Sequence, residues 1–116
     1  MLSWNLLASE AALDEATKLS YRQDVLLFKH STTCSISLMA KMRLEDSWDF
    51  PDSDIMPYYL DLKSYRDLSA RIADFFSVHH ESPQVLLIRN GACIYDASHF
   101  DISVDELKET LAFHAQ

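Results

Sequence analysis

The chain has few cysteines, glycines and prolines and no long apolar run, and these scarcities narrow what it can be. One glycine and three prolines among 116 residues, with no repeat or low-complexity tract, leave no visible linker. No stretch approaches the roughly 18 consecutive apolar residues of a membrane span. The start, MLSWNLLASEAALDEA, lacks the basic region of a secretory signal. We therefore expect a cytoplasmic protein.

Basic residues are also scarce. Ten Lys and Arg against eighteen Asp and Glu give a net charge of −8, which argues against binding to nucleic acid or to an anionic membrane surface. The two cysteines are expected to be free thiols in a reducing compartment, where a disulfide would be transient and functional. The length and a hydrophobic content of 48% predict one domain, residues 1–116, with a substantial core.

The hydrophobic pattern predicts the order helix, strand, helix, strand, helix, strand, strand, helix. The predicted strands are residues 25–28, 57–62, 85–88 and 92–95. The predicted helices are residues 9–20, a helix from Cys34, a helix whose capping box is Ser64 and Asp67, and a helix whose capping box is Ser103 and Glu106.

The run Val25 to Phe28 is continuously apolar, as in a strand that is buried on both faces of a sheet. A strand, helix, strand unit needs a crossover, so the first two strands are predicted to be parallel. Asn90-Gly91 suits a two-residue type I′ turn, which makes the last two strands an antiparallel hairpin. The predicted fold is α/β and thioredoxin-like, with a four-stranded mixed sheet flanked by helices on both faces.

Cys34 is predicted to lie in the first turn of its helix, with Thr32 or Thr33 as the N-cap. There, unpaired backbone N–H groups and the helix dipole stabilise a thiolate and lower the pKa of the thiol. Lys29 and His30, at the end of the preceding strand, are candidates for additional positive charge. Cys34 is therefore the candidate nucleophile.

The residue three positions after Cys34 is Ser37, where a dithiol oxidoreductase has its resolving cysteine. A mixed disulfide at Cys34 must therefore be resolved by a thiol from elsewhere. The hairpin register places Cys93 opposite Ile88, about 16 Å along the strand from Pro83, which is taken to mark the level of the active site. The Cα atoms of a disulfide lie within about 7 Å, so Cys93 is interpreted as a core thiol.

Ser82-Pro83 directly precedes a predicted strand. In thioredoxin-like proteins a cis proline at this place faces the active cysteine, and the backbone of the preceding residue pairs with an extended substrate. Ser82 is therefore the predicted docking point, with an ordinary trans proline as the alternative. His79 and His80 precede it, but adjacent loop histidines are usually solvated, and no metal site is assigned.

Together these residues resemble the monothiol bacilliredoxin family, thioredoxin-like proteins of the bacillithiol system that are also described as general stress proteins. The resemblance spans almost the whole chain and includes Trp4, FKHSTTCSIS, SPQVLLIRNG, Tyr95, Ser98 and His99. Family members more often have proline directly after the cysteine, where this chain has Ser35.

The resemblance implies a thiol–disulfide oxidoreductase whose cysteine takes bacillithiol from a mixed disulfide on a client protein. Cys34 is then the catalytic residue, and the substrate-binding residues are Thr33, Ser35, Ser37, Ser82 and Pro83. No bound cofactor is expected; bacillithiol or a similar low-molecular-weight thiol is the co-substrate. The expected partners are thiol-modified client proteins, and the expected state is a monomer or weak dimer.

Two other functions fit the same residues. Cys34 and a small thiol could hold an iron–sulfur cluster across a homodimer, since two chains and two small thiols supply four thiolates. Alternatively, the chain is a thioredoxin-like adaptor in which Cys34 only packs.

Overall fold

The chain folds into a mixed sheet covered by helices on both faces, as a computed structural model describes it for residues 2–115. The strands are β1 (Asn5–Leu6), β2 (Asp24–His30), β3 (Ile55–Asp61), β4 (Gln84–Arg89) and β5 (Ala92–Ser98). The helices are α1 (Glu10–Leu19), α2 (Ser35–Ser47), α3 (Arg66–Phe76) and α4 (Val104–His114), and a 3₁₀ turn (His99–Asp101) follows β5. Among these residues, no helix combines the length and apolar character needed to cross a bilayer.

The strand order is β1-β3-β2-β4-β5, with β2 in the centre. Strand β2 runs parallel to β3, and β4 and β5 form a hairpin, which confirms the two predicted pairings. Strand β2 also runs antiparallel to β4. The predicted number of four strands is wrong, because β1 adds a fifth strand parallel to β3. Its two residues are too few to show an alternating pattern, and they are ordered by the unpaired backbone groups at the edge of β3.

The central strand β2 divides the core into two layers because successive strand residues point to opposite faces. Leu26 and Phe28 belong to the cluster that includes residues of α2 and α4. Val25 and Leu27 belong to the cluster that includes residues of α1 and α3. Each of these side chains is at most 1% exposed, which explains why the strand reads as a continuous apolar run.

Of the two helix starts predicted from capping boxes, that of α4 is confirmed and that of α3 is wrong. The Ser103 hydroxyl caps α4 by accepting a hydrogen bond from an N–H of its first turn. The Ser64 hydroxyl instead donates to Asp61 Oδ2 at 3.0 Å. Helix α3 therefore begins after Tyr65, which makes no side-chain capping bond. The carboxylate that ends β3 is the stronger partner for Ser64, because a hydrogen bond to a charged group is stronger than one to a neutral group.

The β4–β5 turn has the predicted Asn90-Gly91 pair. Both residues have positive φ, 53° and 76°, as the type I′ turn requires. A Cβ at Gly91 would overlap the hydroxyl of Tyr21. The Tyr21 side chain is exposed and can move aside, so glycine is needed mainly for its backbone conformation.

Trp4 attaches the N-terminal segment to the centre of the molecule. Its ring stacks on Phe28 with a centroid distance of 5.4 Å. Its indole N–H donates to Glu45 Oε2 at 2.8 Å. The segment that contains β1 is thus bound to both the central strand and helix α2.

Candidate active site

Cys34 lies between β2 and α2, at the N-cap position of the helix. Its N–H donates to the Ser31 carbonyl at 3.2 Å, and its carbonyl accepts from the Leu38 N–H at 3.0 Å. The predicted capping by Thr32 or Thr33 is wrong, because both threonines lie in a turn that precedes the helix. The thiol still lies at the end of the helix whose N–H groups lack intrahelical partners.

The accessible part of the site is formed by three consecutive residues. Cys34 is partly exposed, and Thr33 and Ser35 on either side of it are exposed. Helix α2 continues with apolar side chains that face solvent, including Met39 at 52% exposure. A thiol in this position is within reach of a partner that approaches the end of the helix.

Ser37 is fully buried instead of facing a substrate. Its hydroxyl oxygen accepts a hydrogen bond from the Ser31 N–H at 3.0 Å and is also bonded to His30 Nδ1. A side chain with no exposed surface cannot contact a docked substrate, so the structure does not support the predicted binding role of Ser37. It instead joins the loop before Cys34 to the first turn of α2.

His30 is enclosed, with 1% of its surface exposed. Its ring lies near those of Phe28 and Tyr59, at centroid distances of 5.5 and 5.4 Å. Burial, and then the charge of Lys41, lower the pKa of His30 below its usual value, although the Asp61 carboxylate opposes this. The ring is therefore neutral at pH 7 and acts as a hydrogen-bond partner, not as a source of positive charge.

Lys29 leaves β2 on the opposite face and is also 1% exposed. Its ammonium donates to the Ser69 carbonyl at 3.1 Å and lies 3.2 Å from His80 Nδ1. Burial lowers the pKa of Lys29 to about 8, so the ammonium is mostly protonated at neutral pH. Burial, and then the charge of Lys29, lower the pKa of His80, which leaves Nδ1 neutral and able to accept the hydrogen bond.

The Ser82–Pro83 peptide bond is cis. Lys29 near the C-terminal end of β2 is paired with Gln84 at the start of β4. Pro83 therefore lies at the same end of the strands as the loop that leads to Cys34. Pro83 is buried and Ser82 is half-buried. The fold therefore brings the residues that flank the thiol and the Ser82–Pro83 pair to the same end of the central strands.

Sequence reasoning missed the role of Gln84, which is 1% exposed. Its side-chain amide donates to the His79 carbonyl at 2.9 Å, and its Oε1 accepts from the Glu81 N–H at 3.4 Å. These bonds hold the loop that precedes Pro83. A polar residue at the start of the apolar strand QVLLIR was the only sequence signal for it.

Cys93 lies towards the other end of the sheet, opposite Ile88. Four residues separate Ile88 from Gln84 along β4, or about 13 Å, and both cysteines are free. The thiol of Cys93 packs half-buried against the core, and burial raises its pKa to about 11. It is therefore mostly protonated at neutral pH and is a poor nucleophile.

Comparison with known families identifies the lineage of this site. The family model described as monothiol bacilliredoxin BrxC matches residues 5–107, which include the thiol, Ser37 and the Ser82–Pro83 pair. The chain belongs to the monothiol bacilliredoxin family. The resemblance found in the sequence is thereby confirmed, and membership of this family supports a thiol redox function.

Solved structures confirm the thioredoxin-like fold of this chain. One, described as an oxidoreductase with a thioredoxin fold, is 33% identical, with 90% of each chain covered and a TM-score of 0.75. The Malassezia sympodialis thioredoxin is 16% identical over 98% of this chain and 92% of that one, with a TM-score of 0.75. The Trypanosoma brucei brucei thioredoxin is 12% identical over 96% and 89%, with a TM-score of 0.75. The two thioredoxins bear on the fold alone.

Proposed function

We propose that this bacilliredoxin removes bacillithiol, or a similar low-molecular-weight thiol, from mixed disulfides on client proteins in the cytoplasm. The observation that carries the proposal is the position of Cys34. It is partly exposed at the start of α2, at the end of the central strands where Ser82–Pro83 also lies. The protein is expected to act as a monomer or weak dimer and to need no bound cofactor.

In the proposed reaction, the Cys34 thiolate attacks the small-thiol sulfur of the client's mixed disulfide. A new disulfide forms between Cys34 and the small thiol, and the client–small thiol disulfide breaks. The client cysteine leaves as a thiolate and takes a proton from solvent. No net oxidation occurs, because one disulfide replaces another.

A second thiol must then release the small thiol from Cys34. Ser37 has no sulfur, and Cys93 lies too far along the sheet to form a disulfide with Cys34. A free thiol from solution or from another protein attacks the disulfide, restores the Cys34 thiol and leaves with the small thiol as a new disulfide. Client peptides would pair with the backbone at Ser82, as extended segments do at free strand ends.

The test is intact-mass analysis of the reduced protein after incubation with bacillithiol disulfide. We expect wild type and Cys93→Ser each to gain one bacillithiol, and Cys34→Ser to gain none. A bacillithiol-modified client should lose its modification only with protein that has Cys34. If wild-type Cys34 reacts with a general thiol reagent but not with bacillithiol disulfide, the proposal is wrong.

A further inference from the structure

A cavity of about 540 Å³ lies between helix α3 and the loop that precedes Cys34. Ser31 and Thr33 line it from the loop, and Ser69 and His80 are among the residues that line its other walls. This volume is in the range of small-molecule sites, about 300–1,000 Å³. The lining is a mixture of hydroxyl, charged and small apolar side chains, which suits a polar ligand.

Two basic side chains line the cavity, although the whole chain carries −8. Lys63 and Arg66 line the cavity, and among residues 2–115 neither has a carboxylate within 4 Å. The buried ammonium of Lys29 contacts the lining residues Ser69 and His80. These side chains hold positive charge without an ion-pair partner.

The only acidic residue that lines the cavity in the described part of the chain is Asp74. It lies eight residues after Arg66 in the same helix, or about 12 Å along the helix axis. The N–H of Leu62 donates to the His30 carbonyl at 2.9 Å, so the chain at Lys63 runs beside the end of the strand that leads to the cysteine loop. The Asp61 carboxylate is also there and accepts from the Lys63 N–H. The basic lining residues Lys63 and Arg66 therefore belong to the part of the lining nearest the loop that carries the thiol.

We propose that this cavity binds the carboxylate-bearing part of the low-molecular-weight thiol that Cys34 carries. The inference rests on the proposed function and adds the place where the carboxylates of that thiol bind. Arg66 can bind a carboxylate through two parallel hydrogen bonds, and Lys63 adds a point charge. Thr33 adjoins Cys34 in the chain, so a ligand held here can keep its sulfur at the nucleophile.

Two disulfides that differ in charge test the proposal on the full chain. Glutathione disulfide carries carboxylates, whereas its complete ethyl ester has the same disulfide bond with all the carboxylates masked. The rate of mixed-disulfide formation at Cys34 is measured for each by quenched intact-mass analysis. The variants are Lys63→Gln and Arg66→Gln, both at exposed positions, with Arg71→Gln as a control on the same helix outside the cavity.

We expect the rate of each cavity variant with glutathione disulfide to fall by about fivefold or more, because one exposed charged hydrogen bond is lost. Reaction with the ester should change less than about twofold, and Arg71→Gln should match wild type with both. The deciding quantity is the rate with glutathione disulfide divided by the rate with its ester. If the cavity variants leave this ratio unchanged, or if Arg71→Gln changes it equally, the cavity assignment is wrong and the proposed function still stands. If wild type reacts with neither of these disulfides nor with bacillithiol disulfide, the proposed function and this inference both fail.

Discussion

Lys29 and His30 follow each other in β2, yet their side chains leave the sheet on opposite faces. His30 is joined to Ser37 under the start of α2, and Lys29 is joined to Ser69 and His80 under α3. Each is 1% exposed, so each is a polar group enclosed with its own partners, as buried polar groups generally are. One stabilises the loop before the nucleophile, and the other lies beneath the proposed ligand cavity.

The buried Lys29 makes stability depend on pH. The unfolded chain holds the lysine proton up to about pH 10.5, and the folded protein loses it near pH 8, so the unfolded state binds more protons between these values. The free energy of unfolding of wild type relative to Lys29→Met should therefore rise from pH 8 to 10.5, by at most about 3 kcal/mol.

Urea unfolding of both proteins under reducing conditions, at intervals across that range, measures this difference. The raised pKa of Cys93 has the opposite effect on stability, but it is present in both proteins and cancels. A difference that stays constant with pH would show that the ammonium is not enclosed as described.

At the scale of the element, the start of α2 combines the candidate nucleophile and a structural residue within a single turn. Cys34 occupies the N-cap position, where its side chain makes no capping bond. Three residues later the Ser37 hydroxyl stabilises the turn by binding the Ser31 N–H and the His30 ring. The helix start is thus held from inside the protein, and the thiol is left available for chemistry.

Replacement of Ser37 separates the chemistry of this turn from its stability. Ser37→Cys creates a C-x-x-C motif, so a mixed disulfide at Cys34 should be displaced internally and the protein should end with a disulfide between Cys34 and the introduced thiol. Intact mass should then show the loss of two hydrogens, where wild type retains the small thiol. Ser37→Ala is the matched control and should keep the small-thiol adduct.

Ser37→Ala should also lower the free energy of unfolding by about 1–3 kcal/mol, because the Ser31 N–H and the His30 ring lose their partner. Urea denaturation measures this cost. An unchanged midpoint in Ser37→Ala, or a persistent small-thiol adduct in Ser37→Cys, would contradict the described geometry.

At the scale of the whole molecule, the dominant feature is an excess of negative charge. Eighteen acidic residues against ten basic ones give a net charge of −8 and a pI near 4.9. Self-repulsion of this kind destabilises a compact state and is screened by salt. Against this net negative charge, the basic residues at the cavity, which have no ion-pair partner among residues 2–115, are the part of the surface that favours an anion.

Salt should therefore stabilise the protein at neutral pH. Raising sodium chloride from about 20 to 300 mM at pH 7.5 should increase the urea midpoint, since the Debye length falls below 10 Å. At pH 5, close to the pI, the same change should have little effect. A larger salt effect at pH 5 than at pH 7.5 would mean that net repulsion is not the cause.

Much of the active site could be predicted from the chain because its determinants are local. Asn90-Gly91 specifies its turn through backbone conformations that other residues rarely adopt. Cys34 is recognisable from a strand, a short polar loop and a helix in succession, and the absence of a thiol at position 37 is read directly. The Ser82-Pro83 pair before an apolar strand gave the other half of the site.

The remaining features depend on residues that are distant in the chain. Strand β1 exists only beside β3, which is some fifty residues further along the chain. Ser64 is the local exception: it donates to the nearby Asp61 carboxylate, a competing partner that the capping-box pattern does not include. The enclosure of Ser37 and the contact of Lys29 with His80 arise from packing across the sheet.

The sequence by itself determined the family and the order of the helices and of the other four strands, and it pointed to Cys34 as the candidate nucleophile, because periodicity, turn residues and motif spacing act over a few neighbouring residues. Only the tertiary structure decided which polar side chains are buried together and where unpaired positive charge collects beside Cys34. Those outcomes depend on which surfaces meet when the sheet and helices pack, and no local pattern specifies them.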